Sequence, residues 1–253
     1  MRTRRRRRRS KSAAIYVTVG VLLILITAIL GISVFLKIMD IEVVGSTMYP
    51  EKEVIMASGI SPGNNMLFFD KETAARRIRT AMPYISEVSI ELVPPATVRI
   101  TVSESTAIAK IAFMGKLLLI DSAGRVLKQA DATNEDMIEV RGFVPSEAEV
   151  GNKLRAPAGS ETQLRSMIDV LTAFEKEGIL GSIAYLDVTN IAAISFGYTG
   201  RFTVILGGSG NAGYKLSQLP GIVSDIDEER TENARGIINM SDASGKWRFN
   251  PDW

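Results

Sequence analysis

Gly208-Ser209-Gly210-Asn211-Ala212-Gly213 matches the G-x-G-x-x-G pattern, in which glycines let the backbone approach a pyrophosphate at a helix start. That chemistry needs a βαβ crossover and an uninterrupted helix. Here the preceding strand-like runs read as hairpin-linked and Pro220 falls inside the helix that follows, so the segment reads as a flexible loop. A second group, Asp225, Asp227, Glu228 and Glu229, offers carboxylates for a cation or for acid–base work. It lacks the spacing and turn glycine of a calcium loop and reads as a solvated helix end. The chain has no His and no Cys. That removes an imidazole base, a Ser-His-Asp arrangement, thiolate catalysis, thiolate metal sites and disulfides. An enzyme here would have to use carboxylates, Lys or Tyr alone. No catalytic residue, metal ligand or cofactor is assigned. A third group lies near the C terminus, where Trp247 and Phe249 alternate with Lys246 and Arg248 as on the two faces of a short strand. The aromatics either cover the domain's own core or belong to an edge strand whose unpaired N–H and C=O groups receive a partner strand.

The elements that position these residues begin with the N-terminal tail. Arg2, Arg4, Arg5, Arg6, Arg7, Arg8, Arg9 and Lys11 precede 25 residues without a charge, Ser12 to Leu36. As a helix rising ~1.5 Å per residue this stretch is about 37 Å long, enough to cross a hydrocarbon core of roughly 30 Å. A signal peptide is the competing reading, with Gly31 and Ser33 at a cleavage spacing, but its apolar region is only about 7 to 15 residues. The arginines read as topology determinants that hold the tail on the cytoplasmic side and meet anionic headgroups, rather than as a nucleic-acid patch. Lys37 to Trp253 is then expected outside the cytoplasm. Eight of the thirty Lys and Arg residues lie in the tail, so the +2 of the whole chain becomes −6 for the exported part. An acidic exported part has little to attract a polyanion.

In that part Ile41 and Val43 alternate with Asp40 and Glu42 as in a strand, and a helix runs from Glu51 to Ser58 between Pro50 and Gly59. Asp70 caps a second helix that carries Ala74, Ile78, Ala81 and Met82 on one face, with Arg76, Arg77 and Arg79 mostly off it. Strands follow at Val88–Leu92 and Val98–Val102, on either side of Pro94-Pro95. The order β-α-α-β-β is that of a POTRA module. A second, β-rich part follows, with strands near 108–113, 117–120, 126–127, 138–142, 184–188, 192–196, 202–206 and 237–240. Its two helices are one with Leu164, Ile168, Leu171 and Phe174 on a face, opened by a Ser160/Gln163 capping box, and one around 214–226.

The basic tail, the single span and the segments "IEVVGSTMYPEKEVIMASGISPGNNMLFFD", "MPYISEVSIELVPPATVRITVSES" and "KLLLIDSAGRVL" together resemble the FtsQ/DivIB family of bitopic cell-division proteins. The expected fold is α+β: a cytoplasmic tail (1–11), a transmembrane helix (12–36), a POTRA module (37–104), a mostly antiparallel β domain with two helices (105–240) and a C-terminal edge strand (241–253). The resemblance implies a non-enzymatic single-pass scaffold of the plasma (inner) membrane, enriched at the division septum. Its implied partners are the coiled-coil proteins FtsB/DivIC and FtsL, and through them FtsW and FtsI, with no nucleic acid and no cofactor. Carried over by position, partner binding falls on Lys246, Trp247, Arg248, Phe249 and Asn250, with Ile237, Ile238 and Met240 in the neighbouring strand. Arg76, Arg77 and Arg79 form either a solvated helix face or a docking face for headgroups or an acidic partner. Two other classes remain open: a POTRA-bearing translocation or assembly factor, and a wall-acting enzyme built on Asp225 and Asp227.

Overall fold

The computed structural model describes residues 11–66, 68–131, 137–230, 234–242 and 246–252. Helix α1 (Lys11–Phe35) has 25 residues. Its described side chains, 15–27, are exposed and mostly apolar, among them Ile15, Leu22, Leu23 and Ile24. Taken over the described residues, no helix is long and apolar enough to cross a membrane. Arg4 to Arg9 lie outside the described residues, and Lys11 opens α1.

The chain divides into two compact units, Met1–Ile78 with Glu87–Glu104, and Arg79–Ser86 with Ser105–Trp253. After α1 come β1 (Asp40–Val44), α2 (Glu51–Ser58), α3 (Lys71–Ala81), β2 (Ile85–Val93) and β3 (Thr97–Glu104). The three strands form a sheet in the order β1-β3-β2, with β1 parallel to β3 and Val43 opposite Ile100. Period-2 alternation buries Val98, Ile100 and Val102 on one face of β3, while Val54 of α2 and Ala74 and Ile78 of α3 are also buried. The Asp70 carboxylate accepts from the Glu72 and Thr73 amides at 3.0 and 3.2 Å, the expected cap. The Thr73 hydroxyl and amide hold that carboxyl below the usual aspartate range.

Glu104 ties the turn after β1 to the end of β3. It accepts from the amides of Thr47 and Met48 at 3.0 and 2.8 Å and from the Ser46 hydroxyl at 3.3 Å. Desolvation pushes its pKa up, but the hydrogen bonds from Thr47, Met48 and Ser46 outweigh it and hold the carboxyl low.

The second unit holds a nine-stranded sheet. Its elements are β4 (Ala109–Phe113), β5 (Lys116–Ile120), β6 (Val126–Gln129), β7 (Ile138–Arg141), α4 (Glu161–Lys176), β8 (Ile183–Asp187), β9 (Ile194–Tyr198), β10 (Phe202–Gly207), α5 (Ala212–Glu229), β11 (Gly236–Asn239) and β12 (Arg248–Pro251). The order is β12-β11-β10-β9-β8-β7-β4-β5-β6. The neighbours β4/β7, β7/β8 and β10/β11 are parallel and the other five pairs antiparallel, so the sheet is mixed with an antiparallel majority. Met167, Val170, Leu171 and Phe174 of α4 and Leu216, Leu219, Ile222 and Ile226 of α5 join the inward strand residues in one core. Phe174 meets Phe196 edge to face at 4.9 Å.

Three local expectations are corrected. Ser160 precedes α4 at φ −109°, ψ 13° rather than in extended geometry, and its hydroxyl makes no cap bond. Gln163 instead donates to the carbonyls of Gly142 and Val188, both at 2.8 Å. The buried stripe of α4 is rotated from the expected one, with Leu164 and Ile168 only partly buried. Pro220 does not interrupt α5, which runs 18 residues through it, because the buried face of that helix supplies stability that one missing amide does not remove.

Gly45 has φ +89°, and a Cβ there would stand 2.2 Å from the Val102 carbonyl oxygen. Gly45→Ala should therefore cost about 2 kcal/mol or more through backbone strain and the forced separation of β1 from β3. A urea titration of the full chain in detergent, followed by circular dichroism, would show an unchanged midpoint if this close approach were not needed.

Candidate functional site

The glycine-rich segment lies at the turn from β10 into α5, and β11 returns parallel to β10. The strands before it, β9 and β10, are hairpin-linked as read, but the segment itself opens a βαβ crossover and α5 runs unbroken through Pro220, so the two features a phosphate site needs are present after all. The side chains supply a different reason against one. The space beside the segment is lined by two carboxylates, Asp169 and Glu177, against one cation, Lys176, and the Ser209 hydroxyl donates to the Asp169 carboxylate at 3.3 Å. Lys215, the nearest cation on α5, is buried and donates to the Leu206 carbonyl at 2.7 Å. The excess of carboxylate over cation facing the start of α5 opposes a phosphate there, and the crossover serves to place β11.

The acidic group does not act as a unit either. Asp227 receives both terminal nitrogens of Arg201, one at 3.2 Å, while Arg201 Nε donates to the Ala234 carbonyl at 3.1 Å. The two side chains are 22% and 25% exposed. Hydrogen bonding from Arg201 holds the Asp227 carboxyl below the ordinary range, the wrong direction for a general acid at neutral pH. Arg201, in the turn before β10, thus ties the end of α5 to the residues just before β11. Among the described residues no three acidic side chains come together as metal ligands.

The third group is assembled as a strand. β12 pairs antiparallel with β11 in the register Asn239↔Arg248, Ile238↔Phe249, Ile237↔Asn250 and Gly236↔Pro251. The Asp252 amide donates to the Arg235 carbonyl at 2.9 Å. In an antiparallel ladder bonded and non-bonded pairs alternate, so Arg248 and Asn250 also direct their main-chain groups at β11. Phe249 and Pro251 therefore direct theirs outward. Proline fits such a position because its missing N–H faces away from the ladder. Trp247 and Phe249 are partly buried against the core, and Phe249 meets Phe202 edge to face at 6.0 Å with the Arg230 guanidinium 5.6 Å from its ring. Lys246, Arg248 and Asn250 are exposed. Ile238 and Met240 are buried in the core and Ile237 is half-buried on the other face of the sheet.

The two ends of the nine-stranded sheet differ. At β6 the Val126 amide donates to the Asn152 carbonyl at 2.9 Å and the Val126 carbonyl accepts from Gly151 at 2.8 Å, so a loop covers that edge. At β12 no further strand is paired among the described residues. Gly236 had no signal in the sequence beyond its place before a strand. It stands in the narrow non-bonded pair with Pro251, where a Cβ would lie 2.2 Å from the Asn250 carbonyl oxygen and 2.8 Å from Pro251 Cα.

The three arginines of α3 do not share one face. Arg76 and Arg77 are exposed, with Arg76 donating to the Thr73 hydroxyl at 2.9 Å and Arg77 lying over Gly59, whereas Arg79 is half-buried. At about 100° per residue, Arg77 and Arg79 point to nearly opposite sides.

Residues 36–105 match the family model described as a POTRA domain, FtsQ-type. A protein of Geobacter sp. (strain M21) named "Cell division protein FtsQ" is 26% identical over 204 residues, covering 78% of this chain and 70% of its own. A Corynebacterium glutamicum protein of the same name is 32% identical over 92 residues, covering 35% of this chain and 40% of its own.

Two outcomes follow from this geometry. Gly236→Ala should push β12 off β11 while β4 to β10 stay folded. In hydrogen exchange by mass spectrometry, residues 246–252 would lose protection at least about tenfold, since detaching them breaks the pairing bonds together; unchanged exchange would contradict the close approach. On acidification the unfolded Asp227 takes up its proton first, at ordinary aspartate values of about 4, so the stability contributed by the Arg201 pair is present above that range and lost as pH falls through the lower folded value. Urea midpoints from neutral to acid pH should fall less steeply for Asp227→Asn than for the parent chain, and parallel curves would remove Asp227 from the acid response.

Proposed function

The chain is a member of the FtsQ/DivIB family of cell-division proteins, and from that premise we propose that it is a non-enzymatic, single-pass membrane scaffold of the bacterial divisome. In this reading α1 crosses the plasma membrane with the arginine tail on the cytoplasmic side, and both folded units work outside. The tail's charge and the 25-residue length of α1 support that topology.

The observation that carries the reading is the β12 edge. Its aromatic side chains are turned toward the core and its outward main-chain groups are directional, so it suits strand addition better than a flat apolar contact. The incoming strand is assigned, by family resemblance, to the single-span coiled-coil proteins FtsB/DivIC and FtsL, through which FtsW and FtsI are brought to the septum. Lys246, Arg248 and Asn250 then flank the added strand, while Trp247 and Phe249 hold β12 in place. The exposed pair Arg76 and Arg77 is a secondary docking surface for an acidic partner or headgroups.

Capture of division proteins from a membrane extract by the full chain tests this, run beside a version ending at Ser244. Truncation should abolish recovery of a small coiled-coil membrane protein. Phe249→Ala and Phe249→Pro both delete the ring, but only the second removes an outward amide. Strand addition predicts a further loss of about fivefold for Phe249→Pro, the worth of one hydrogen bond near 1 kcal/mol. Equal recovery by the full and truncated chains would move docking elsewhere.

A further inference from the structure

Phe68 is 72% exposed, between a buried anchor, Met66, and the cap of α3, Asp70. A lone exposed apolar side chain is ordinary on a protein surface. Its place is what distinguishes it. The backbone ahead of Phe68 is bonded to the first residues after α1: the Met66 amide donates to the Leu36 carbonyl at 2.8 Å, the Ile38 amide to Asn64 at 2.9 Å and the Gly63 amide to Ile38 at 2.8 Å. Lys37 and Asn65 form the bridge between them. This loop is thus stitched to the chain where it leaves the helix. Phe68 lies three residues beyond Asn65, within about 10 Å of it along the chain, and Asn65 is one strand spacing of about 5 Å from the exit.

If α1 spans the bilayer, its exit lies at the outer edge of the hydrocarbon. The headgroup zone beyond that edge is roughly 5 to 10 Å deep, and apolar side chains of interfacial segments occupy that layer. That layer lies within the reach of Phe68. Lys37 and Lys71, both exposed, place cations beside the loop for anionic headgroups, while the neighbouring Asp70 carboxylate is taken up in capping α3. We propose that Phe68 enters the outer interface of the bilayer, so that this loop is a second membrane contact beside the helix. The inference rests on reading α1 as a span. Two attachment points restrict the swivel of the POTRA module about the end of α1, which a single flexible exit would leave free.

The chain has no cysteine, so one thiol introduced at a time is a unique probe. Full-length Phe68→Cys, Met48→Cys and Leu23→Cys are labelled with an environment-sensitive fluorophore and reconstituted in phosphatidylethanolamine/phosphatidylglycerol vesicles that contain doxyl lipids. Met48 is exposed and lies beyond the far end of β1, while Leu23 is exposed in the middle of α1. The expected result is strong quenching at 23 and, at 68, quenching about twofold or more above that at 48, as for a group in the interfacial layer. Quenching at 23 with equal responses at 68 and 48 overturns the loop contact and leaves the span standing. No quenching at 23 overturns the span and this inference with it.

Discussion

A strand can be added parallel to its predecessor only through a crossover, and α5 is that crossover between β10 and β11. Bringing the chain back to the starting end of β10 sets the direction of β11, and β12 then folds back antiparallel as the last strand of the sheet. The crossover is held at its return by Arg201, whose fork takes Asp227 at the end of α5 while its Nε takes the Ala234 carbonyl just before β11. The Gly236 amide adds a bond to the Arg201 carbonyl at 3.3 Å. One arginine in the turn before β10 therefore fixes where the sheet's final edge lies.

That edge is organised by a division between side chain and main chain. An exposed aromatic strand would be an unspecific adhesive surface, and proteins avoid such edges. Here Ile238 and Phe202 draw Phe249 inward, which leaves mainly directional hydrogen-bonding groups and the polar residues Arg248 and Asn250 in water. Pro251 ends the outward row by removing one donor, so the length of any added strand is bounded within β12 itself.

The extent to which this was legible in the sequence follows from how local each determinant is. The alternation of Trp247 and Phe249 with Lys246 and Arg248, and the Asp70 cap, are decided by residues a few positions apart, and the structure has them as read. The β9–β10 hairpin is local and legible, whereas the pairing of β10 with β11 spans more than thirty residues and leaves no local mark. Pro220 argued for a broken helix only while the packing of Leu216, Leu219, Ile222 and Ile226 was unknown. The acidic cluster could not be reduced to one useful carboxylate without seeing Arg201, 26 residues away. Ser160 and Gln163 had the spacing of a capping box, but the carbonyls of Gly142 and Val188 competed for the glutamine and won. The crowding of Arg76, Arg77 and Arg79 in the sequence suggests one face, although a helix turns about 100° per residue and separates Arg77 from Arg79.

The size of the edge bears on why such a protein would be tethered at all. Four residues make up β12, and only alternate ones offer main-chain groups outward. At roughly 1 kcal/mol net for each hydrogen bond, a few such bonds alone give an affinity no better than about millimolar. On the proposed reading, apolar anchoring from an incoming strand adds to this, and so does confinement: two proteins held in one membrane meet at an effective concentration that a short tether raises to about the same millimolar scale. On the proposed reading, α1 is therefore part of the binding mechanism as much as β12 is, because a short edge becomes an occupied one only when both partners are confined to the same surface.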